Sequence, residues 1–144
     1  MWQKYILESL KLQKIDEIKS AAKKYLLVVV LVGIVILLLK TVLVNILSNS
    51  SYYVILDIIP TILLGMFFYF LYTLMSNIPF FHKNTYLMAL PAFIAAGLNI
   101  VLNVIMLPIY GYKIAALTTL ISYFIEFVVI YIICLKKYKI NLLI

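Results

Sequence analysis

Glu126 is the residue of this chain best suited to chemistry, because it lies near the middle of the otherwise uncharged apolar stretch Ile114–Leu135. If that stretch crosses a membrane, a charged carboxylate at its centre costs about 2.5–3.5 kcal/mol. Two interpretations follow. Glu126 binds a proton or a cation, or it is protonated and hydrogen-bonded to a neighbouring helix. The sequence leaves both open.

Two more charges fall in or near apolar stretches. Lys40 lies about two thirds of the way along Tyr25–Leu47, and Asp57 lies near the start of the next stretch. Lys40 can snorkel to the membrane surface along its long stem, or it can point into a cavity and meet an anionic substrate. The two residues have similar predicted depths, so an ion pair between them is a further possibility.

Residue patterns typical of enzymes do not occur. The sequence has no Gly-rich phosphate loop, nucleophile elbow, paired carboxylates or Cys/His spacing typical of a metal site. His82 stands alone in a loop, and the single cysteine, Cys134, excludes an internal disulfide and is interpreted as a small apolar residue at a helix end. We therefore expect no enzymatic activity, no cofactor and no metal.

Four apolar stretches must position these residues. They are Tyr25–Leu47, Val54–Ser76, Tyr86–Leu107 and Ile114–Leu135. Each is long enough to cross a hydrocarbon core of about 30 Å at about 1.5 Å per residue, and spanning segments of this kind must be helices. With 67% hydrophobic residues and a mean hydropathy of +1.17, the chain is predicted to be an all-α, polytopic membrane bundle of four transmembrane helices. Pro79 and Pro108 are assigned to its loops.

Small and polar residues recur on one face of each of the last three stretches. They are Gly65, Tyr69, Tyr72, Thr73 and Ser76 on the second stretch, Ala92, Ala95, Ala96, Asn99 and Asn103 on the third, and Thr119, Ser122, Tyr123 and Glu126 on the fourth. Such faces indicate either ordinary helix packing with hydrogen bonds or a lined polar cavity. The candidates for contact with a substrate or cavity are Lys40, Glu126, Asn99, Asn103, Tyr69, Tyr72, Ser122 and Thr119.

Lysine supplies all of the positive charge behind the net charge of +7. Most lysines lie before the first stretch, in the Phe80–Thr85 loop or after the fourth stretch, whereas the other two loops contain only Lys113. By the positive-inside rule, both termini and the Phe80–Thr85 loop are predicted to be cytoplasmic. Lysines placed in this way favour contacts with membrane lipid and do not indicate nucleic acid as a partner.

Residues 1–24 form a charged leader before residues 25–144, which contain the four stretches. Its apolar residues recur mostly at spacings of three and four: Trp2, Tyr5, Ile6, Leu10, Leu12, Ile15 and Ile18. This period predicts an amphipathic helix at the cytoplasmic interface. It would serve either as a linker between membrane segments or as a docking helix for a membrane or a partner.

The chain resembles the polysaccharide flippases, the O-antigen transporter-like branch of the multidrug and oligosaccharidyl-lipid exporter superfamily (MATE-like). The resemblance covers roughly Tyr25–Ile144 and is strongest over Asn99–Tyr123. The residues that carry it are Lys83-Asn84-Thr85, then Asn99, Asn103, Pro108, Tyr110 and Gly111, then Ala115, Ala116, Thr118 or Thr119, Ser122 and Tyr123. Lys113-Ile114 replaces the usual second glycine.

The resemblance implies a transporter of two related six-helix halves in the cytoplasmic (inner) membrane. Such proteins are implied to move undecaprenyl-pyrophosphate-linked oligosaccharide to the outer leaflet by alternating access, with a cationic cavity around the head group. This chain would supply the first four helices of the second half and its leader the linker, so its partners would be that lipid-linked oligosaccharide and a missing amino-terminal half. We expect the chain to be inactive alone.

Two other classes stay open. One is a small four-helix transporter that acts as an oligomer, like the small multidrug exporters. Those carry their essential glutamate in the first helix, whereas here Glu126 lies in the fourth stretch. The other is a non-transporting membrane subunit of a glycan-assembly complex.

Overall fold

A computed structural model of the chain describes residues 2–12, 14–47, 50–140 and 142, and every regular element within these ranges is helical. The elements are α1 (Trp2–Lys11), α2 (Ile15–Leu47), a 3-10 helix (Ser50–Asp57), α3 (Ile59–Phe81), α4 (Tyr86–Tyr110), α5 (Ile114–Ile133) and a π-helical turn (Cys134–Tyr138). The predicted all-α fold is confirmed.

Among the described residues, four helices, α2 to α5, have the length and the apolar composition needed to cross a membrane. The chain is thus a multi-pass membrane protein. Its longest helix, α2, has 33 residues. At 1.5 Å per residue it extends about 50 Å, well beyond a hydrocarbon core of about 30 Å. Part of α2 therefore projects out of the membrane.

That projecting part is the second half of the leader. The predicted leader helix over 1–24 is wrong in its bounds, because α1 ends at Lys11 and α2 begins at Ile15. Asp16 and Glu17 occupy the first turn of α2, where negative charge stabilises a helix start, and Lys11 occupies the last turn of α1, where positive charge stabilises a helix end. The charge order thus fits two helices better than one.

Proline placement explains why α3 starts later than predicted. Helix α3 occupies Ile59–Phe81 where the sequence predicted Val54–Ser76, and Pro60 lies in its first turn. Proline fits a first turn because its missing N–H has no partner there in any helix. Pro79 and Pro108, predicted in loops, lie inside the last turns of α3 and α4. Gly111 then ends α4 with a φ of 72°.

Helix α5 is the centre of the bundle. It packs extensively against α3 and against α4, whereas α3 and α4 contact each other only sparsely. Gly65 of α3 permits part of this packing, since a Cβ there would lie 3.5 Å from the Leu120 Cα and 3.5 Å from the Tyr123 ring. Phe68 adds an edge-to-face contact with Phe124, with ring centroids 5.0 Å apart. A cleft is therefore left between α3 and α4, in front of α5.

Helix α2 stands apart from this bundle. The most apolar part of its span has none of its residues buried inside the protein. An apolar groove of about 640 Å³ separates it from α3, with Gly33 on one side and Phe67 on the other. Since the groove is lined almost entirely by aliphatic and aromatic side chains, it offers nothing polar to a ligand.

The buried core lies at the end of the bundle where the first and last segments of the chain meet. Its residues are Ile6, Leu10, Ile18, Ala22, Leu74, Met75, Ile78, Ile130, Cys134 and Leu142. Ile6, Leu10 and Ile18 of the leader are thus covered by the chain's own α3 and α5. Leu12, from the same predicted face, is 65% exposed. Cys134 is buried here, and its thiol donates to the Met75 carbonyl at 3.6 Å. Its burial agrees with the interpretation of Cys134 as a small apolar residue at a helix end.

Candidate functional site

A polar cavity of about 490 Å³ lies between α3, α4 and α5, and we call it the polar cleft. Its lining residues are Tyr69, Tyr72, Ala92, Ala95, Ala96, Asn99, Thr119, Ser122, Tyr123 and Glu126. These residues come from the three faces that the spacing of small and polar residues singled out. Of the two arrangements left open by the sequence, a lined cavity therefore describes the structure better than close helix packing.

Glu126 provides the one carboxyl group of this lining. Its side chain is only 4% exposed. Within the described ranges, no side chain or backbone group forms a hydrogen bond or ion pair with it, and its oxygens are not sealed from the cavity. The interpretation of Glu126 as a carboxyl group bonded to a neighbouring helix thus finds no partner here. What remains is a nearly buried carboxyl group aimed into a cavity, which is an arrangement that suits a ligand.

Tyrosine rings form much of the wall of the polar cleft. Tyr69 packs against Tyr123 of α5 and against Tyr72, with ring centroids 5.1 Å and 5.9 Å apart. The Tyr72 hydroxyl donates to the Met88 carbonyl of α4 at 3.0 Å, across the cleft. The wall therefore combines flat apolar faces with hydroxyl groups.

Two amides anchor α4 to α5 at the edge of the cleft. Asn103 donates to the Asn99 side-chain oxygen at 2.9 Å, and the Thr118 hydroxyl lies 2.8 Å from the Asn103 side-chain oxygen. The Asn99 amide in turn reaches the Thr119 hydroxyl at 3.5 Å. Both amides face a neighbouring helix, as the sequence predicted. Asn99 also lines the cleft, whereas Asn103 supports it from one turn away.

Further cavities continue the polar cleft along α3 in both directions. Toward the α3–α4 turn, Tyr72 also lines a cavity of about 450 Å³ that contains Thr73, Ser76 and Asn77. Toward the other end, Tyr123 also lines a cavity of about 380 Å³. A row of cavities thus follows the polar face of α3, and tyrosines separate its parts.

Lys40, a predicted candidate for contact with a substrate or cavity, does not line the polar cleft. Its ammonium group donates to the Leu56 carbonyl of the 3-10 helix at 3.3 Å. The suggested pair of Lys40 with Asp57 is wrong. Asp57 lies 3.1 Å from Lys113, in an exposed ion pair. The later start of α3 explains why this pair does not form, because it removes Asp57 from the membrane helix and places it beside the α4–α5 turn.

His82 has an aromatic environment in the turn between α3 and α4. Its ring stacks on Tyr138 with centroids 4.6 Å apart. Asn84 donates to the Tyr138 hydroxyl at 2.7 Å. Tyr138 of the π-helical turn thereby holds the α3–α4 turn in place through its contacts with His82 and Asn84. In the part of the chain that the structure describes, no three His, Cys, Asp or Glu side chains come together as metal ligands would.

Tyr123 and Asn77 are among the lining residues of the row that were not predicted as candidates. Tyr123 was recognised on its face but not singled out, although its ring touches Tyr69. Asn77 fell just beyond the predicted end of its helix. It is in fact buried within α3 and donates to the Thr73 carbonyl at 2.8 Å. Extending the polar period of α3 by one turn would have found it.

No protein-family model, no curated protein and no solved structure matches this chain significantly. The resemblance to polysaccharide flippases therefore stays a prediction.

Proposed function

We propose that this chain forms part of a membrane transporter for lipid-linked oligosaccharide, of the polysaccharide flippase kind, and that α3, α4 and α5 supply a wall of its substrate pathway. The observation that supports this most is the polar cleft with Glu126 unpaired inside it. Transporter sites of this kind lie near the membrane midplane between helices, where polar groups are costly unless they serve a function.

The lining favours sugar over phosphate. Tyr69, Tyr72 and Tyr123 offer flat faces for the C–H surfaces of a sugar ring, and Asn99 and Glu126 offer hydrogen bonds to its hydroxyl groups. A pyrophosphate requires cations. The lining contains no lysine or arginine. We therefore propose that the cleft holds the uncharged glycan and that other helices contact the pyrophosphate.

The cleft needs a further wall. Tyr69 is 42% exposed although it belongs to the lining. A polar residue at this depth is normally covered by protein or water and not by lipid. In the proposed transporter, helices of an amino-terminal half cover this opening, and access alternates as the halves rock against each other. The isolated chain is then expected to insert without transporting.

The proposed orientation places both termini and the α3–α4 turn in the cytoplasm of a cell with an inner membrane, because most lysines lie at that end. Single cysteines introduced at His82 and Tyr110, in a Cys134→Ala background, test this with a membrane-impermeant thiol reagent on intact cells. Both positions are exposed. Label at Tyr110 and not at His82 is expected, and the reverse pattern would overturn the orientation.

The open cleft also suits a second candidate, a small transporter in which another copy of this chain provides the missing wall. The two candidates differ in what they need for activity. A flippase-deficient strain should regain surface polysaccharide only when the chain is fused to a matching amino-terminal half. Complementation by the isolated chain would instead favour the oligomer.

Variants of that fusion test the cleft itself. Tyr69→Ala should weaken complementation because it removes a flat face of the proposed glycan site, while Tyr110→Ala, which changes an exposed tyrosine outside the cleft, should not. Membrane abundance is measured for both. A fusion that inserts normally and never complements would contradict transport and favour a non-transporting subunit of a glycan-assembly complex.

A further inference from the structure

A second pocket lies at the end of the bundle that carries α1 and the α3–α4 turn. It has a volume of about 750 Å³. Its lining residues are Leu7, Glu8, Lys11, Phe80, Phe81, Lys83 and Thr85. Since α3 ends and α4 begins here, and both are membrane-length helices, the pocket lies at the boundary between lipid and water.

Helix α1 forms one wall because its apolar face is fixed on the bundle. Ile6 is fully buried, and Leu10 is nearly so, in the core shared with α3 and α5. The neighbouring positions Leu7 and Lys11 are thereby turned toward the α3–α4 turn. This wall does not depend on the insertion of α1 into lipid.

The opposite wall is a constrained turn. Lys83 has a φ of 56°, a left-handed conformation that costs energy for any residue other than glycine. It is held there by backbone bonds from Lys83 N–H to the Phe80 carbonyl at 3.0 Å and from Asn84 N–H to the Pro79 carbonyl at 2.9 Å. The bond from Asn84 to Tyr138 fixes the same turn from the side. Lys83 is thus placed by the backbone before any ligand arrives.

The lining is amphiphilic. Two ammonium groups and the Thr85 hydroxyl can bind phosphate oxygens, while Leu7, Phe80 and Phe81 present apolar surface beside them. Glu8 reduces the formal charge of the lining to +1, since two lysines are set against one carboxylate. A net positive charge next to hydrocarbon suits a phospholipid with a net charge of −1, whereas the choline cation of a zwitterionic lipid would be repelled by the two lysines.

We propose that this pocket binds an anionic phospholipid of the surrounding membrane. Lys11 and Lys83 hold the phosphodiester, and one acyl chain lies along Leu7 and Phe80. The bound lipid bridges α1 to the α3–α4 turn, so it fastens the leader to the bundle. This site is separate from the polar cleft and does not rest on the proposed transport function.

Native mass spectrometry of the full chain, released from micelles, tests the site. Phosphatidylglycerol should bind one molecule more tightly than phosphatidylcholine. Lys11→Gln with Lys83→Asn should weaken the first binding step about twenty-five-fold, at about five-fold for each lysine. Asparagine is chosen at position 83 because it tolerates the left-handed conformation.

The matched control is Lys23→Gln with Lys24→Gln. It removes the same charge from exposed positions outside the pocket lining. Helicity by circular dichroism verifies that each variant is folded. An equal loss in the control would overturn the proposal in favour of diffuse attraction to basic residues. Equal affinity for phosphatidylcholine, or binding of inorganic phosphate as tight as that of the whole lipid, would overturn it as well.

Discussion

The Tyr72 hydroxyl donates a hydrogen bond to the Met88 carbonyl at 3.0 Å and thereby ties α3 to α4 across the polar cleft. These helices contact each other only sparsely elsewhere. Tyr72 also lines two neighbouring cavities of the row along α3. The Tyr72 side chain therefore spans the cleft and also stands between two cavities of the row.

Tyr72→Phe should weaken that tie without creating a void. We expect a loss of about 1 kcal/mol in the free energy of unfolding, typical for one hydrogen bond. Unfolding in bicelles measures it. Tyr110→Phe is the control, since Tyr110 is exposed and lies outside the cavities of the row. Equal stability of Tyr72→Phe and the wild type would mean that the bond contributes nothing.

Gly65 should accept a methyl group but not a larger side chain. A Cβ at this position meets α5 at 3.5 Å, which is ordinary van der Waals contact, so Gly65→Ala should be nearly neutral or slightly stabilising. Gly65→Leu would force α3 away from α5 and should cost about 1–3 kcal/mol. Gly97→Leu is the matched control, because nothing lies within 4 Å of its Cβ position. If both leucine variants unfold alike, the α3–α5 contact is not as close as the structure places it.

Periodicity predicted the faces of the bundle well, because helical spacing alone decides which residues share a face. Tyr69, Asn99 and Ser122 all line one cavity, as their faces suggested. Segment ends were harder to predict. Pro60 marks the true start of α3, but the apolar run continues upstream through the 3-10 helix, so hydropathy placed the helix too early.

Contacts between elements distant in sequence could not be read from the chain at all. The position of Lys40 along its apolar stretch predicts its depth in the membrane but not where α2 lies relative to the other helices. Helix α2 stands apart from the bundle, so Lys40 does not line the cavity that contains Glu126. Likewise the amphipathic period of the leader predicted a buried face but not what buries it. Its Ile6 packs on the chain's own bundle.

Asn103→Leu should reduce stability moderately. The change removes the donor to Asn99 and the acceptor for Thr118. Hydrogen bonds between membrane helices average about 0.6 kcal/mol and reach about 1.7 kcal/mol, so the loss should lie in that range. Unfolding in bicelles again provides the measurement. Val104→Leu, at a neighbouring position that is mostly exposed, should leave stability unchanged. An Asn103→Leu variant as stable as this control would contradict the role of the amide.

Glu126→Gln distinguishes a role of the Glu126 side chain in stability from a role of its carboxylate charge in transport. Glutamine keeps the shape of the side chain, and no partner among the described residues is lost, so insertion and stability should be retained or slightly improved. In a reconstituted fusion that transports, the interpretation of Glu126 as a proton or cation site requires a carboxylate. The variant should therefore flatten the dependence of transport on pH.

Asp57→Asn is the control for that experiment. It also removes one carboxylate, but from an exposed pair with Lys113 whose contribution to stability is at most about 1 kcal/mol. Its pH profile should match that of the wild type. If Glu126→Gln also keeps the wild-type profile while transport continues, Glu126 does not couple transport to protons. The carboxyl group would then serve only to bind the hydroxyl groups of the glycan, and the variant should show a weaker apparent affinity for substrate at every pH.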